Sequence, residues 1–443
     1  MSIRILPPRG APRVLAAAQL SNSLGDGAYY VSSALYFTRV VGLSPTQIGL
    51  GLTVAWAIGS VAGVPLGALA DRHGPRGTSV LLALATGAAV GSFLFIRSFP
   101  LFLVAAILYA VAQCGLAAAR QALLAGLVAP AERTAVLAHL QSTLNAGLAV
   151  GAALGGLALR YDTAEAYRAV FALDAVGFLL CAAVLLRLPV VARASAAHGA
   201  GGPRLAVLRD RPYAVVTLLN AVLLLRMPLL SLAIPLWTVE RTDAPGWLVS
   251  ALFVLNTLAV MAFQVRMARG VTGLASASRA VRRSGAVMFA SCVVFAVSAA
   301  GLSPWAAAAV LLIGAALQVI AEMQQSAGSW QIGFALAPAH QVGQYQGFFG
   351  TGVPVARTLG PLLLTWLLVV WGVPGWLLLA ALFLGASLAM GPAVRWAERV
   401  ERVERVERAG VSYQRVTSRV PHWLEQPSRY SQGPRDTSTA RRM

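Results

Sequence analysis

The stretch GALADRHGPRG, residues 67–77, sets Asp71, Arg72, His73 and Arg76 among glycines between two long apolar runs. A charge at the centre of a bilayer costs at least about 2.5 kcal/mol on insertion scales, so these groups belong at a surface, in a tight turn. The flanking runs, residues 48–69 and 78–95, are each long enough to cross hydrocarbon, which takes about 17 to 25 residues. A charged turn between two such runs marks an integral membrane protein.

The pattern repeats outward from that turn. Of 443 residues, 58% are hydrophobic and 12% charged, and the mean hydropathy is +0.70, against roughly 25% charged in a soluble domain. Apolar stretches fall at residues 14–37, 48–69, 78–95, 102–127, 135–159 and 169–186, then at 214–237, 247–267, 286–302, 306–332, 348–371 and 376–390. The expected fold is all-α, with twelve transmembrane helices in two pseudo-symmetric six-helix bundles, residues 1–188 and 213–392. A hydrophilic cytoplasmic linker, 189–212, joins them, and residues 393–443 form a basic cytoplasmic tail. The first span is too long and too glycine-interrupted for a cleaved signal peptide. In the tail, Glu398 with Arg402, Glu401 with Arg405, and Glu404 with Arg408 are i,i+4 pairs that favour a short solvated helix. Contact with a partner or anionic lipid is the alternative use of that helix, and beyond Ser412 the polar, arginine-rich composition is that of a disordered segment.

No lysine occurs, so the net charge of +19 rests on arginine. Without lysine there is neither a Walker A phosphate loop nor a lysine Schiff base, which excludes ATP hydrolysis by that route and a retinal cofactor. Energy must come from an ion gradient, most simply protons, or from the substrate's own gradient. Arg4, Arg9 and Arg13 precede the first span, and Arg72 and Arg76 follow the second. Arg187, Arg193, Arg204, Arg209 and Arg211 follow the sixth, and Arg266, Arg269, Arg279, Arg282 and Arg283 the eighth. The alternate connections hold only Arg39, Arg97, Arg160, Arg168 and Arg241. By the positive-inside rule both termini and the 67–77 turn are cytoplasmic, as in a multi-pass protein of a bacterial inner membrane. The bilayer thus accounts for the arginines, and no nucleic acid partner is expected. Cys114, Cys181 and Cys292 fall inside spans as small packing residues. The histidines, His73, His139, His198, His340 and His422, lack metal-ligand spacing, so no metal is expected.

Ionisable groups inside spans are functional candidates because hydrocarbon selects against them. Asp26 lies in NSLGDGAYY of the first span, one turn from Asn22. A carboxyl in a low-dielectric cavity can exchange a proton near physiological pH, so Asp26 leads as a proton-coupling or cation-recognising residue, with a structural hydrogen-bonding role as the alternative. Glu322, near Gln324, Gln325 and Trp330, suits a cavity wall or else an interhelical ion pair. Asp174 reads as lying near the outer end of span six, paired with a polar neighbour. Arg120, Arg226 and Arg357 are the embedded bases; they can counter the acids, attract an anionic substrate or fasten gates, and Asp26 with Arg226 is one conceivable pair. Tyr29, Tyr30, Trp56, Trp237 and Trp330 can stack on an apolar substrate or simply pack.

The turn resembles the signature of the major facilitator superfamily between spans two and three. In that signature a glycine is followed after three residues by aspartate, a basic residue, any residue, glycine, and further basic residues. Gly67, Asp71, Arg72, Gly74 and Arg76 match it, with Pro75 where arginine often stands. The resemblance implies that Asp71 contacts the amino end of span eleven and that a basic residue reaches toward span four, together holding the outward-facing state. Glu132, in PAER after span four, is then a partner for Arg72 or Arg76; otherwise these charges only set topology. A degenerate echo from Gln264 onward, QVRMARGVTGLASASRAVRRSG, keeps glycine and arginine but lacks the acid.

The run GLAVGAALGG, with Gly147, Gly151, Gly155 and Gly156, is similar to the fifth-span motif of proton-driven drug exporters, with Ala152 where proline is usual. Small residues at this spacing also simply permit close helix packing. Gln113, Cys114 and Gly115 are similar to the end of a fourth-span motif whose arginine position holds Val111. GQYQGFFGTGVPVARTLGPLL, residues 343–363, resembles the start of span eleven in exporter-like members, with Gly360 and Pro361 marking a kink. The resemblance implies a monomeric secondary transporter that exports amphipathic small molecules in exchange for protons, rocking its halves around a central site. The alternatives are a metabolite or organic-anion importer or facilitator and, on the same fold, a nontransporting sensor. No nucleophile, metal or phosphate-binding constellation points to an enzyme.

Overall fold

The computed structural model describes residues 7–191 and 205–417. The middle of the expected linker and the tail beyond residue 417 lie outside the described residues, as do Arg4, Arg193, Arg204, His198 and His422. The described residues form helices joined by short turns.

Six rods make the first half: α1 (Ala11–Leu35), α2 (Pro45–His73), α3 (Pro75–Ser92), α4 (Phe99–Leu127), α5 (Arg133–Tyr161) and α6 (Ala164–Leu185). In the second half come α7 (Arg211–Arg241), with a wider turn at Leu229–Ala233, then α8 (Leu248–Ala268), α9 (Leu274–Val297) and α10 (Pro304–Ala335). After them, α11 is built of two pieces, Val342–Gly350 and Gly352–Thr365, and α12 spans Val373–Thr417. Among the described residues, ten of these rods are long and apolar enough to cross a membrane by themselves. The two that fall short are α1, diluted by Asn22 and Asp26, and α11, cut near Thr351.

Local chemistry explains the punctuation. Ser44 caps α2 in a reciprocal box, its hydroxyl accepting from the Gln47 N–H while the Gln47 side chain accepts from the Ser44 N–H. Asp210 accepts from the Tyr213 N–H at 3.0 Å to start α7. In the charged turn, Gly74 adopts φ +101°, a conformation that favours glycine, and Pro75 opens α3, where a missing N–H costs nothing.

Each half closes around its own apolar cluster. Tyr36, Phe37, Phe93, Phe102 and Phe171 form an aromatic knot in the first, with the Tyr36 hydroxyl donating to the Phe93 carbonyl at 3.0 Å. Trp237, Phe295 and Trp376 anchor the second, the Trp237 indole N–H donating to Ser298 Oγ at 2.9 Å. On α5 the glycine run is a packing seam with α1. A Cβ at Gly147 would sit 2.0 Å from Ser23 Oγ, and one at Gly151 would sit 2.1 Å from the Leu24 carbonyl oxygen. Gly155 meets Ala28 in the same way, while Gly156 faces open space.

Several boundaries differ from the apolar pattern; α9 begins at Leu274 rather than 286, its first turns carrying Arg279, Arg282 and Arg283. α11 begins at Val342 rather than 348, because its first-turn donors are satisfied by a side chain from another helix. α12 continues past the end of its apolar run at 390, since the Arg–Glu repeat that follows carries its own helical periodicity. The compact membrane unit ends at Ala397, and residues from Glu398 form a second unit.

Candidate functional site

The face that carries the start of α1 and the α2–α3 turn is termed the near face. There the Asp71 carboxylate accepts from the N–H of Gly343 at 2.7 Å and of Gln344 at 2.9 Å. These are the second and third residues of α11, so Asp71 acts as an N-cap supplied from the opposite half, facing the positive end of that helix. Glycines make the approach possible. Gly63 and Gly67 of α2 meet Gly347 and Gly343 of α11, and a Cβ at Gly67 would lie 2.1 Å from the Gly343 carbonyl oxygen. Two further ties join the halves here: Thr134 Oγ1 donates to Gln331 Oε1 at 2.7 Å, and the Arg133 guanidinium lies over the Phe334 ring at 5.6 Å.

The rest of the charged turn behaves differently. Glu132 is exposed and pairs with neither Arg72 nor Arg76 among the described residues. Arg76 instead donates to the carbonyl of Leu186 at the end of α6, while Arg72 is exposed. The turn that carries Glu132 leaves it exposed, so the pairing that the resemblance implies is not formed among the described residues.

Behind the latch lies a cavity of about 480 Å³ lined by both halves, within the size range of small-molecule sites. Asp26, 5% exposed, is held in its wall by amides: Asn22 Nδ2 donates to Oδ2 at 3.0 Å, and Gln113 Nε2 reaches Oδ1 at 3.5 Å. Asn22 in turn accepts from Arg120 Nη1 at 3.3 Å, and Gln19 accepts from Arg120 Nη2 at 2.6 Å. Asn22 thus stands between base and acid. Asp26 and Arg226 do not form the conceivable pair.

Arg226, on the facing half, pairs with Glu322 at 2.9 Å, and the two side chains are only 8% and 21% exposed. Gln325 Oε1 and Ser326 Oγ accept from the same guanidinium, and Gln325 Nε2 continues to Asn220. Arg357 lies exposed along the cavity with its guanidinium 5.8 Å from the Tyr30 ring centre. Trp56, Trp330, Phe334 and Phe349 supply apolar wall.

Asp174 corrects an expectation. It sits midway along α6, fully buried, with both carboxyl oxygens lacking a hydrogen-bond partner among the described residues, and its backbone and carboxyl press against Gly25. On the far face, Arg39 pairs with Asp162 and Tyr167 donates to the same carboxylate at 2.6 Å. The Tyr167 hydrogen bond, followed by that of Arg39, holds Asp162 below its ordinary carboxylate range.

Gln19, Gln121 and Gln346, which carry no charge, also line the cavity. Gln19 and Gln121 are neutral amides inside apolar spans, a signal weaker than a charge but of the same kind, whereas Gln346 stands just ahead of the apolar run of span eleven.

Residues 15–330 match the family model described as Major Facilitator Superfamily. No curated protein matches the chain. Solved structures of similar fold include the human organic anion transporter MFSD10 (TETRAN), 17% identical with a TM-score of 0.65 over 87% of this chain and 100% of that one. The proton:xylose symporter XylE, bound to 6-bromo-6-deoxy-D-glucose, is 13% identical with a TM-score of 0.67 over 86% and 95%. A bacterial homologue of the iron transporter ferroportin, in an outward-facing state with soaked iron, is 15% identical with a TM-score of 0.66 over 88% and 99%. At such identities the likeness is one of fold.

Proposed function

The chain belongs to the major facilitator superfamily, and from that premise we propose that it moves amphipathic small molecules across a bacterial inner membrane, by alternating access, coupled to protons exchanged at Asp26. It is a multi-pass membrane transport protein and not an enzyme. The observation that carries the proposal is Asp26 itself: a carboxyl 5% exposed, held by two amides in the wall of a cavity that both halves line. Its charge can be lost or gained without breaking an ion pair, which suits a group that must cycle between two protonation states. The arginine distribution supports a cytoplasmic near face, and the latch across that face supports an arrangement closed toward the cytoplasm. A single copy contains the whole cavity.

Efflux of drugs, the direction implied by the α5 glycine run, leans on glycines that close α1–α5 packing already requires. A second reading, uptake of an organic anion, is favoured by charge: Arg120, Arg226 and Arg357 line the cavity against Asp26 and Glu322. Protein in proteoliposomes under an imposed pH gradient, with labelled amphipathic anions, cations and neutral compounds, tests the proposal. Accumulation of one class with the gradient supports it, and gradient-independent flux of every compound sinks the proton coupling.

A further inference from the structure

Three bases and two acids line the cavity, and they are not equivalent. Arg226 is neutralised at 2.9 Å by Glu322 and its remaining donors are taken up by Gln325 and Ser326. Arg120 and Arg357 have no carboxylate within 4.0 Å among the described residues. Among the described residues Arg120 donates to the neutral amides of Asn22 and Gln19, and Arg357 rests over the Tyr30 ring while exposed along the cavity. One guanidinium comes from α4 of the first half and the other from α11 of the second.

Cations kept from full neutralisation in a low-dielectric wall attract an anion strongly, and guanidinium is suited to carboxylate, sulfonate or phosphate oxygens. The groups facing Asp26 decide how a proton bears on this. They are Arg120 and Tyr109 of α4, Arg357 of α11, Asp174 and Cys181 of α6, and Tyr29 and Tyr30 of its own helix. Ionised, Asp26 offsets part of the field of the two arginines; protonated, it releases that field to a ligand.

We infer that Arg120 and Arg357 form a clamp for the anionic head group of an amphipathic organic anion, whose apolar body rests on Trp56, Trp330 and Phe349, and that protonation of Asp26 strengthens its binding. The inference rests on the reading of this cavity as the transport site. Proton and anion then bind cooperatively and by linkage move in the same direction. Under an inward proton gradient this is uptake, and because the clamp draws on both halves, a bound anion also favours their closure.

Full-length protein in nanodiscs, with Trp56 and Trp330 as fluorescent reporters of the cavity, provides the test. The probes are naphthalene-1-acetate, its uncharged amide and naphthalene-1-ethylammonium, at pH 6 and pH 8. Naphthalene-1-acetate is expected to bind at least about tenfold more tightly than either analogue, and more tightly at pH 6. Arg120→Gln and Arg357→Gln are each expected to shrink that preference severalfold, with Arg120→Lys retaining more of it if Arg120→Gln folds poorly. Asp26→Asn is expected to keep acetate binding and lose the difference between the two pH values. Equal or tighter binding of the amide or the ammonium compound overturns the inference, as does failure of naphthalene-1-acetate to bind or a preference unchanged in Arg357→Gln. Selective acetate binding without gradient-driven flux in proteoliposomes leaves the anion clamp standing and overturns the transport reading instead; flux without selectivity does the reverse.

Discussion

The Asp71 carboxylate of α2 accepts a hydrogen bond at 2.7 Å from the backbone N–H of Gly343, in the first turn of α11. Positions 71 and 343 are 272 residues apart, in opposite halves. A cap that bridges two bodies stabilises only the arrangement in which they touch, so it biases an equilibrium rather than the fold of either half. Glycine at 67 and 343 is what lets the two backbones come close enough.

Asp71→Ala removes the acceptor for two N–H groups and a charge-assisted interaction worth about 1.5–3 kcal/mol. The near-face-open population is expected to rise roughly ten- to a hundredfold. Cys114 lines the cavity whereas Cys181 and Cys292 are buried, so the labelling rate of Cys114 by a thiol reagent applied at the near face reads the change. An unaltered rate contradicts the latch.

Arg226→Met strands Glu322 without its partner and is expected to destabilise the protein by about 3–5 kcal/mol. The double variant Arg226→Met with Glu322→Leu is expected to recover most of that loss, because neither charge of the pair is left without its partner. Thermal melting of the purified variants measures both, and a double variant no more stable than the single contradicts the pairing.

Within the glycine run, neighbouring positions are expected to differ sharply. Gly151→Ala drives a Cβ to 2.1 Å from a backbone oxygen of α1, whereas Gly156→Ala enters open space. The first is expected to cost about 1–3 kcal/mol and the second almost nothing, read as melting temperature and monodisperse yield. Equal effects contradict the seam.

Much of this was legible in the chain because burial selects strongly on charge. The Gly67–Asp71–Gly74 pattern and the apolar runs identified a twelve-rod membrane fold, and every embedded base singled out in the sequence lines the cavity. Pairing was not legible. Arg226 finds Glu322 and not Asp26 because helix rotation and tilt decide which side chains converge, and neither is written in local spacing. Depth along a helix is not legible either, as at Asp174, and the resemblance that offers Glu132 as a partner for Arg72 or Arg76 does not carry the orientation of the turn that bears it. The early start of α11 was hidden because its cap comes from another helix.

Acid is expected to weaken the far-face clasp. Asp162 has its carboxyl held below the ordinary value of 3.8 by Tyr167 and Arg39, so its stabilisation is present above that value and is lost as pH falls through the lower, folded one. Melting temperature measured from pH 5 downward is expected to fall less steeply in Asp162→Asn than in the parent. Parallel curves contradict the assignment.

Asp26 as the proposed carrier of the coupled proton is read out by accumulation in proteoliposomes under an imposed pH gradient. With labelled naphthalene-1-sulfonate, an anion that stays ionised and does not cross lipid unaided, as the probe, the parent protein is predicted to concentrate it with the gradient. Asp26→Asn, folded and still binding the probe, is predicted to let it only equilibrate. Gradient-driven accumulation by Asp26→Asn at the parent's level would place the coupled proton elsewhere.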